Sequence, residues 1–87
     1  MRVISQGGKI DVPYKIATIF KIGNTILARN DRTEFELAEY STEAKAIKAM
    51  EMLREAFFEN KHEETYRDGI YYYSPCFQFP QNNEIEV

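Results

Sequence analysis

Hydrophobic and polar positions along the chain follow two periods, and the change between them falls near residue 41. Before this point, apolar residues come in short β-branched runs, and the stretch from Thr33 to Tyr40 alternates with a period of two. Phe35 and Leu37 take one face of that strand, and the opposite face holds Glu34, Glu36 and Ala38. After it, apolar residues return every three or four positions, as in an amphipathic helix.

Turn residues divide the first part of the chain into short strands. Gly7 and Gly8 separate an apolar pair at residues 3–4 from a second strand at residues 10–12. Pro13 has no N–H group to donate to a β-ladder, so the second strand is expected to be short, to lie at a sheet edge, or to end at this residue.

The clearest hairpin joins residues 15–22 to residues 25–29 through Gly23 and Asn24. Glycine in the first central position favours a type II′ turn, because that position has a positive φ. A second polar turn at residues 30–32 leads into the alternating strand. Together these segments predict an antiparallel β-meander.

The best-defined element is an amphipathic helix at about residues 42–60. Ser41 is expected to cap its first free N–H groups, and Glu43 suits the positive end of the helix dipole. Arg54 is expected to lay its stem on apolar surface and keep its charge in water. The expected buried stripe consists of Ile47, Met50, Leu53, Arg54 and Phe57, flanked by Ala46 and Ala49.

The segment after the helix is expected to complete the sheet. Residues 61–69 are polar and indicate a loop, while residues 70–73 and 77–79 favour strands. Residues 81–87 are polar and acidic and are expected to form a mobile tail. The prediction is therefore one α+β domain at residues 1–80, with an antiparallel β-meander of about five or six short strands packed against one helix.

Composition limits the class of protein. A chain of 87 residues forms one domain, and its 44% hydrophobic and 14% aromatic content exclude a disordered chain. No apolar run is long enough to cross a membrane, and the N-terminus lacks the features of a signal peptide. Cys76, the single cysteine, cannot form an internal disulfide. We therefore expect a cytoplasmic protein that is not associated with a membrane.

Charge is divided unevenly between the two parts of the chain. Residues 1–32 carry a net charge of +4 and residues 33–87 carry −7, within a total of −3. Such a division is compatible with nucleic-acid binding by the basic part, or with charge compensation inside one small fold.

Motifs for catalysis are missing from the sequence. Cys76 and His62 could form a nucleophile and base pair, but the apolar surroundings of Cys76 favour a buried, inert thiol. His62 is followed by two glutamates without the second histidine of an HExxH helix, and neither CxxC nor a glycine-rich phosphate loop is present. The sequence predicts no enzyme, catalytic residue, cofactor or metal.

Two kinds of interaction surface remain open. Clustered tyrosines can stack on bases or contact a protein partner, and basic side chains could bind phosphates. The acidic net charge disfavours nucleic acid, whereas tyrosine enrichment and open strand edges favour a protein partner or self-association. The candidate interaction residues are Tyr71, Tyr72, Tyr73, Lys15, Lys21 and Arg29.

Several segments resemble a family of small uncharacterised proteins encoded by phages and prophages of Firmicutes-type bacteria. The similar segments are residues 1–6, 10–14, 38–42, 48–54 and 77–80. Members of that family often carry an acidic residue at the position of Lys15. The resemblance implies a bacterial cytoplasm and a mobile-element origin, and it supplies no activity, cofactor or catalytic residue.

The leading hypothesis from sequence is a small non-enzymatic phage or prophage accessory protein that acts by protein–protein interaction. The alternative is a nucleic-acid-associated protein that uses a tyrosine-rich sheet face and the basic N-terminal part. This alternative requires the candidate tyrosines and Lys15, Lys21 and Arg29 to share one exposed face.

Overall fold

The computed structural model describes residues 1–60, 66–67, 70–71 and 76–86. These residues form eight strands, one α-helix and a short 3-10 helix. The strands are β1 Arg2–Ile4, β2 Asp11–Pro13, β3 Thr18–Ile22, β4 Thr25–Asn30, β5 Thr33–Glu39, β6 Tyr66–Arg67, β7 Ile70–Tyr71 and β8 Cys76–Gln78. The helix α1 spans Glu43–Asn60, and the 3-10 helix spans Asn82–Glu84.

The strands are distributed over two three-stranded sheets and one short hairpin. The first sheet has the order β2-β1-β8, with β1 antiparallel to β2 and parallel to β8. The second sheet is the antiparallel meander β3-β4-β5, and β6 pairs with β7. The α+β class and the edge position of β2 are confirmed. The predicted antiparallel meander includes only β3, β4 and β5. The first sheet is mixed, because β8 pairs with β1 in parallel.

Turn chemistry accounts for the tight connections of the second sheet. Ile22 pairs with Thr25, so Gly23 and Asn24 form a two-residue turn. Gly23 has a φ of 60° and Asn24 lacks a positive φ, which agrees with the expected type II′ geometry. The following turn places Asp31 at a φ of 58°, a conformation that Asp tolerates better than most residues.

A bulge in β5 joins the two sheets. The pairing of β4 with β5 shifts between Ile26 and Leu27, and Leu37 is the extra residue on the β5 side. The Leu37 carbonyl accepts a hydrogen bond of 2.7 Å from the Gln6 amide nitrogen. The bulge also turns Ala38 inward, where it is 3% exposed, so the expected position of Ala38 on the wet face of β5 is wrong.

The helix begins at Glu43, one residue later than the sequence predicts. Thr42 Oγ1 accepts a hydrogen bond from the Lys45 amide, which is the geometry of an N-cap. The Ser41 amide instead donates to Asn82 Oδ1 at 2.8 Å. Thr42 therefore caps the helix, and the expected role of Ser41 is wrong.

The buried face of the helix is rotated relative to the expected stripe. Ala46 and Ala49 are fully buried and Leu53 is 1% exposed, whereas Ile47 is 45% exposed. Alanine at two successive turns lets the helix backbone approach the sheet closely. The centre of the face therefore runs along the alanines, with Met50, Met52, Ala56 and Phe57 half-buried at its sides.

The C-terminal residues pack on the domain, whereas the sequence predicted a mobile tail. Ile85 is 4% exposed and belongs to the core cluster. The Tyr40 hydroxyl donates to the Pro80 carbonyl at 2.8 Å, and Lys45 Nζ donates to the Asn82 carbonyl at 2.9 Å. A single apolar residue in a polar segment gives a weak sequence signal, so the docking of Ile85 was missed.

Candidate functional site

The basic residues predicted to bind a partner are spread over different surfaces. Lys15 is exposed in the connection between β2 and β3. Lys21 pairs with Ile26, while Arg29 pairs with Thr18, so strand alternation places Lys21 and Arg29 on opposite faces of the sheet. Tyr72 and Tyr73 lie outside the described residues, and for Tyr71 the structure gives only the pairing of β7 with β6. The described part of the chain thus does not unite the basic residues on one face.

Lys21 and Arg29 each form an ion pair with a glutamate. Lys21 Nζ lies 2.7 Å from Glu43 Oε2 and donates to the Gly23 carbonyl at 2.9 Å. The hydrogen bond and positive charge of Lys21 lower the pKa of Glu43. Arg29 Nε donates to Glu34 Oε1 at 2.9 Å, and the Arg29 guanidinium lies 5.2 Å from the centre of the Phe20 ring. These contacts reduce the positive charge offered to a phosphate.

The side of the β3-β4-β5 sheet away from α1 presents an ordered arrangement, here called the outer face. Directly paired residues point to the same side of a sheet, so its three rows follow from the strand register. The rows are Thr18, Arg29 and Glu34; Phe20, Leu27 and Glu36; and Ile22, Thr25 and Glu39. Each row ends in a glutamate on β5, which makes one border of the outer face acidic.

Apolar side chains fill the other part of the outer face. Phe20 and Leu27 are half-buried and do not belong to the core cluster, and Ile22 is 63% exposed. The helix contacts the opposite face of this sheet, where Ile26 and Ala28 are fully buried. The outer face therefore combines an apolar centre with a glutamate border.

The outer face was missed from sequence because its residues belong to three strands. Ile19, Phe20 and Ile22 lie close together in residues 15–22, so the apolar positions alone do not show which side each residue takes. The register of β3 and β4 supplies that information by placing Phe20 beside Leu27. The available signal was a period of two, which places Phe20 and Ile22 on one side of the strand and Ile19 and Lys21 on the other without showing which side the helix covers.

A cleft lies on the helix side of the same sheet. It has a volume of about 280 Å³ and lies between α1, β3 and the connection before β3. The lining residues are Tyr14, Ala17, Ile19, Met50, Leu53 and Arg54. Tyr14 stacks on Phe57 with ring centres 4.3 Å apart, which fixes one wall. The cleft is thus lined by apolar side chains, one tyrosine and one arginine.

The candidate catalytic and metal-binding residues do not form a site in the described ranges. Cys76 is exposed on β8, so its expected burial is wrong, and His62 lies outside the described residues. Within those ranges, no three His, Cys, Asp or Glu side chains come together to hold a metal ion. No described helix has the length and apolar character needed to cross a membrane.

Searches of the chain against protein-family models, curated proteins and solved structures found no match. The functional conclusions below therefore depend on the surfaces of this chain.

Proposed function

We propose that this chain is a small, non-enzymatic accessory protein that binds another protein through the outer face. The observation that supports this proposal most directly is the presence of Phe20, Leu27 and Ile22 on a sheet face that α1 does not cover. Burial of such side chains stabilises a complex by roughly 25 cal/mol for each Å² of apolar surface removed from water. The resemblance to phage and prophage proteins supports a bacterial cytoplasm as the setting.

The glutamate border favours a partner with a basic, partly apolar surface. Glu36 and Glu39 are exposed, and neither has a side-chain hydrogen bond or ion pair within the described ranges. A partner that carries Lys or Arg beside an apolar anchor would satisfy both parts of the outer face. Opposite charges across an interface raise the association rate and discriminate against wrong partners.

A second copy of the chain fits the outer face less well than a basic partner. In a symmetric dimer the same surface meets itself. The glutamates of β5 would then face β3 residues such as Phe20 and Ile22, or one another, and Arg29 is already paired with Glu34. Desolvating carboxylates without a new cation is unfavourable.

The test compares variants of the tagged full chain as bait in lysate of a Firmicutes-type bacterium, with nuclease present. Leu27→Asp introduces a charge into the apolar centre, and Glu36→Lys reverses the border charge. We expect the wild type to retain a stoichiometric amount of one partner protein. Both variants should retain at least tenfold less of that protein, and a tenfold loss of affinity corresponds to about 1.4 kcal/mol. Glu55→Lys, an exposed change on α1, is the matched charge control and should retain the protein.

The affinity of the captured protein for the wild-type chain should depend on salt. Purified, the captured protein should bind the wild type with an affinity that falls as salt rises, because the border contacts are electrostatic. Retention by the Glu36→Lys variant would contradict the assignment of the outer face. Capture that occurs only in a parallel lysate without nuclease would favour the nucleic-acid alternative, and a wild-type chain that elutes only as a dimer would favour self-association.

A further inference from the structure

The cleft beside α1 combines apolar side chains with Arg54, whose guanidinium has no hydrogen-bond or ion-pair partner among the described residues. We propose that it binds a small organic monocarboxylate, with the apolar body of the ligand in the cleft and its carboxylate on the Arg54 guanidinium. This inference does not depend on the proposed function, because the cleft lies on the opposite side of β3. Ile19 lines the cleft and the next residue, Phe20, belongs to the outer face.

Arg54 differs from the arginines of the two sheets. Arg2 lies 2.7 Å from Asp11, and Arg29 is bonded to Glu34. The Arg54 guanidinium forms no hydrogen bond or ion pair with any residue in the described ranges, although Glu51 lies one helical turn before it. A planar guanidinium binds a carboxylate through two parallel hydrogen bonds. No contact within the described part of the chain therefore occupies the hydrogen-bond donors of Arg54.

The walls of the cleft favour an apolar ligand body. Leu53 is 1% exposed and forms part of the core, and Ile19 and Met50 pack against that core. The Tyr14 ring is held by its stacking on Phe57, and the Tyr14 amide donates to the Met1 carbonyl at 2.9 Å. A wall that is ordered before the ligand arrives reduces the entropy lost on binding.

The size and charge of the cleft narrow the class of ligand. The cleft has a volume of about 280 Å³ and is partly open to solvent. One ring or a short aliphatic chain fits this space. A single arginine matches the single charge of a carboxylate, whereas a phosphate group with two charges usually requires additional donors.

The probe is 3-phenylpropanoate, titrated into the full-length ¹⁵N-labelled chain and followed by amide chemical shifts. The neutral 3-phenyl-1-propanol has the same ring and chain without the charge. We expect both ligands to shift amides around Ala17, Ile19 and Met50, with about threefold to fivefold tighter binding of the carboxylate, because Arg54 is exposed and water screens its ion pair. Arg54→Gln should abolish this difference and leave the alcohol affinity unchanged.

Two further variants separate the cleft from general charge effects. Arg32→Gln removes the same charge from the exposed turn between β4 and β5, and it should not change the affinity for the carboxylate. Ala17→Leu places extra apolar volume in the cleft and should weaken both ligands at least tenfold.

Three results would overturn the proposal. The first is an absence of saturable shifts in the folded wild type at about 10 mM ligand, which corresponds to an affinity weaker than about 3 kcal/mol. The second is a carboxylate affinity that is equal in Arg54→Gln and the wild type. The third is a set of shifted amides on the outer face, away from α1.

Discussion

At the scale of single residues, the Ser5 hydroxyl shows how one polar atom can organise a connection. Ser5 is 4% exposed, and its Oγ accepts hydrogen bonds from the amides of Lys9 and Ile10 at 3.1 and 3.0 Å. The loop between β1 and β2 thereby pairs N–H groups that the short ladder leaves unpaired. Backbone donors buried without a partner are costly, so this hydroxyl stabilises the loop.

The ionisation of Tyr40 lowers the stability of the fold at alkaline pH. Its burial, with a smaller contribution from the negative charge of Glu84, raises the Tyr40 pKa to about 12. In an unfolded chain the pKa is about 10, so the unfolded state releases the proton first. The contribution of Tyr40 to stability is therefore complete below pH 10 and is lost as the pH rises towards 12.

The Tyr40→Phe variant tests this titration, because phenylalanine cannot ionise. We expect the free energy of unfolding of the wild type to fall relative to the variant by more than ~1 kcal/mol between pH 10 and 12. Urea unfolding at each pH measures the difference. Below pH 9 the variant should be the less stable protein, because the Pro80 carbonyl loses its hydrogen bond from Tyr40. A difference that is independent of pH would contradict the assigned pKa shift.

At the scale of elements, local signals defined the helix and the β3-β4 hairpin, and long-range contacts defined the rest. Gly23 predicted its turn because glycine adopts a positive φ at low steric cost, whatever its long-range contacts. The predicted helix face is rotated relative to the buried face, because a hydrophobicity pattern favours large residues such as Ile47 over small ones. The structure places Ala46 and Ala49 at the contact, where close approach matters more than side-chain size.

Both candidate sites depend on long-range contacts, so local sequence signals do not predict them. The outer face depends on the register that sets Phe20 beside Leu27, and the cleft depends on the docking of α1 over β3. The bulge at Leu37 depends in turn on the contact with Gln6. None of these contacts is encoded within one segment, so sequence patterns gave the elements and left the surfaces open.

A pair of alanine substitutions distinguishes the two positions of the helix face. Leu53→Ala should destabilise the protein by about 2–5 kcal/mol, because Leu53 is fully buried in the core. Ile47→Ala should cost less than about 1 kcal/mol, because Ile47 is 45% exposed and alanine favours helix. Chemical denaturation of both variants gives the comparison. Equal losses would support the stripe predicted from sequence over the rotated face.

At the scale of the whole molecule, the C-terminal residues connect the two sheets and the helix. Gln6 Nε2 donates to the Pro80 carbonyl at 3.1 Å, and Gln81 Nε2 donates to the Gln6 carbonyl at 2.7 Å. Asn82 receives hydrogen bonds from Ser41 and Lys45 at the start of α1. Strand β8 is parallel to β1 and leads directly into residues 79–86, which places these residues beside Gln6 and the start of α1. The order of strands therefore determines which elements the C-terminal residues contact.

Removal of residues 81–87 tests whether this connection contributes to stability. The deletion takes away buried Ile85 and the hydrogen bonds of Asn82, so we expect a loss of at least about 2 kcal/mol. For a domain of this size, each kcal/mol lowers Tm by about 4–8 °C. Calorimetry should therefore show a decrease of roughly 8 °C or more.

Two controls locate the source of that decrease. Deletion of residues 86–87 alone should leave Tm almost unchanged, because Glu86 is exposed and Ile85 stays in place. Ile85→Ala in the full chain should reproduce most of the loss, because it removes the buried side chain and keeps the backbone contacts. If deletion of residues 81–87 left Tm unchanged, the C-terminal segment would behave as the mobile tail that its composition predicts. A decrease shared with Ile85→Ala would show that one apolar residue is sufficient to anchor a polar segment across two sheets and a helix.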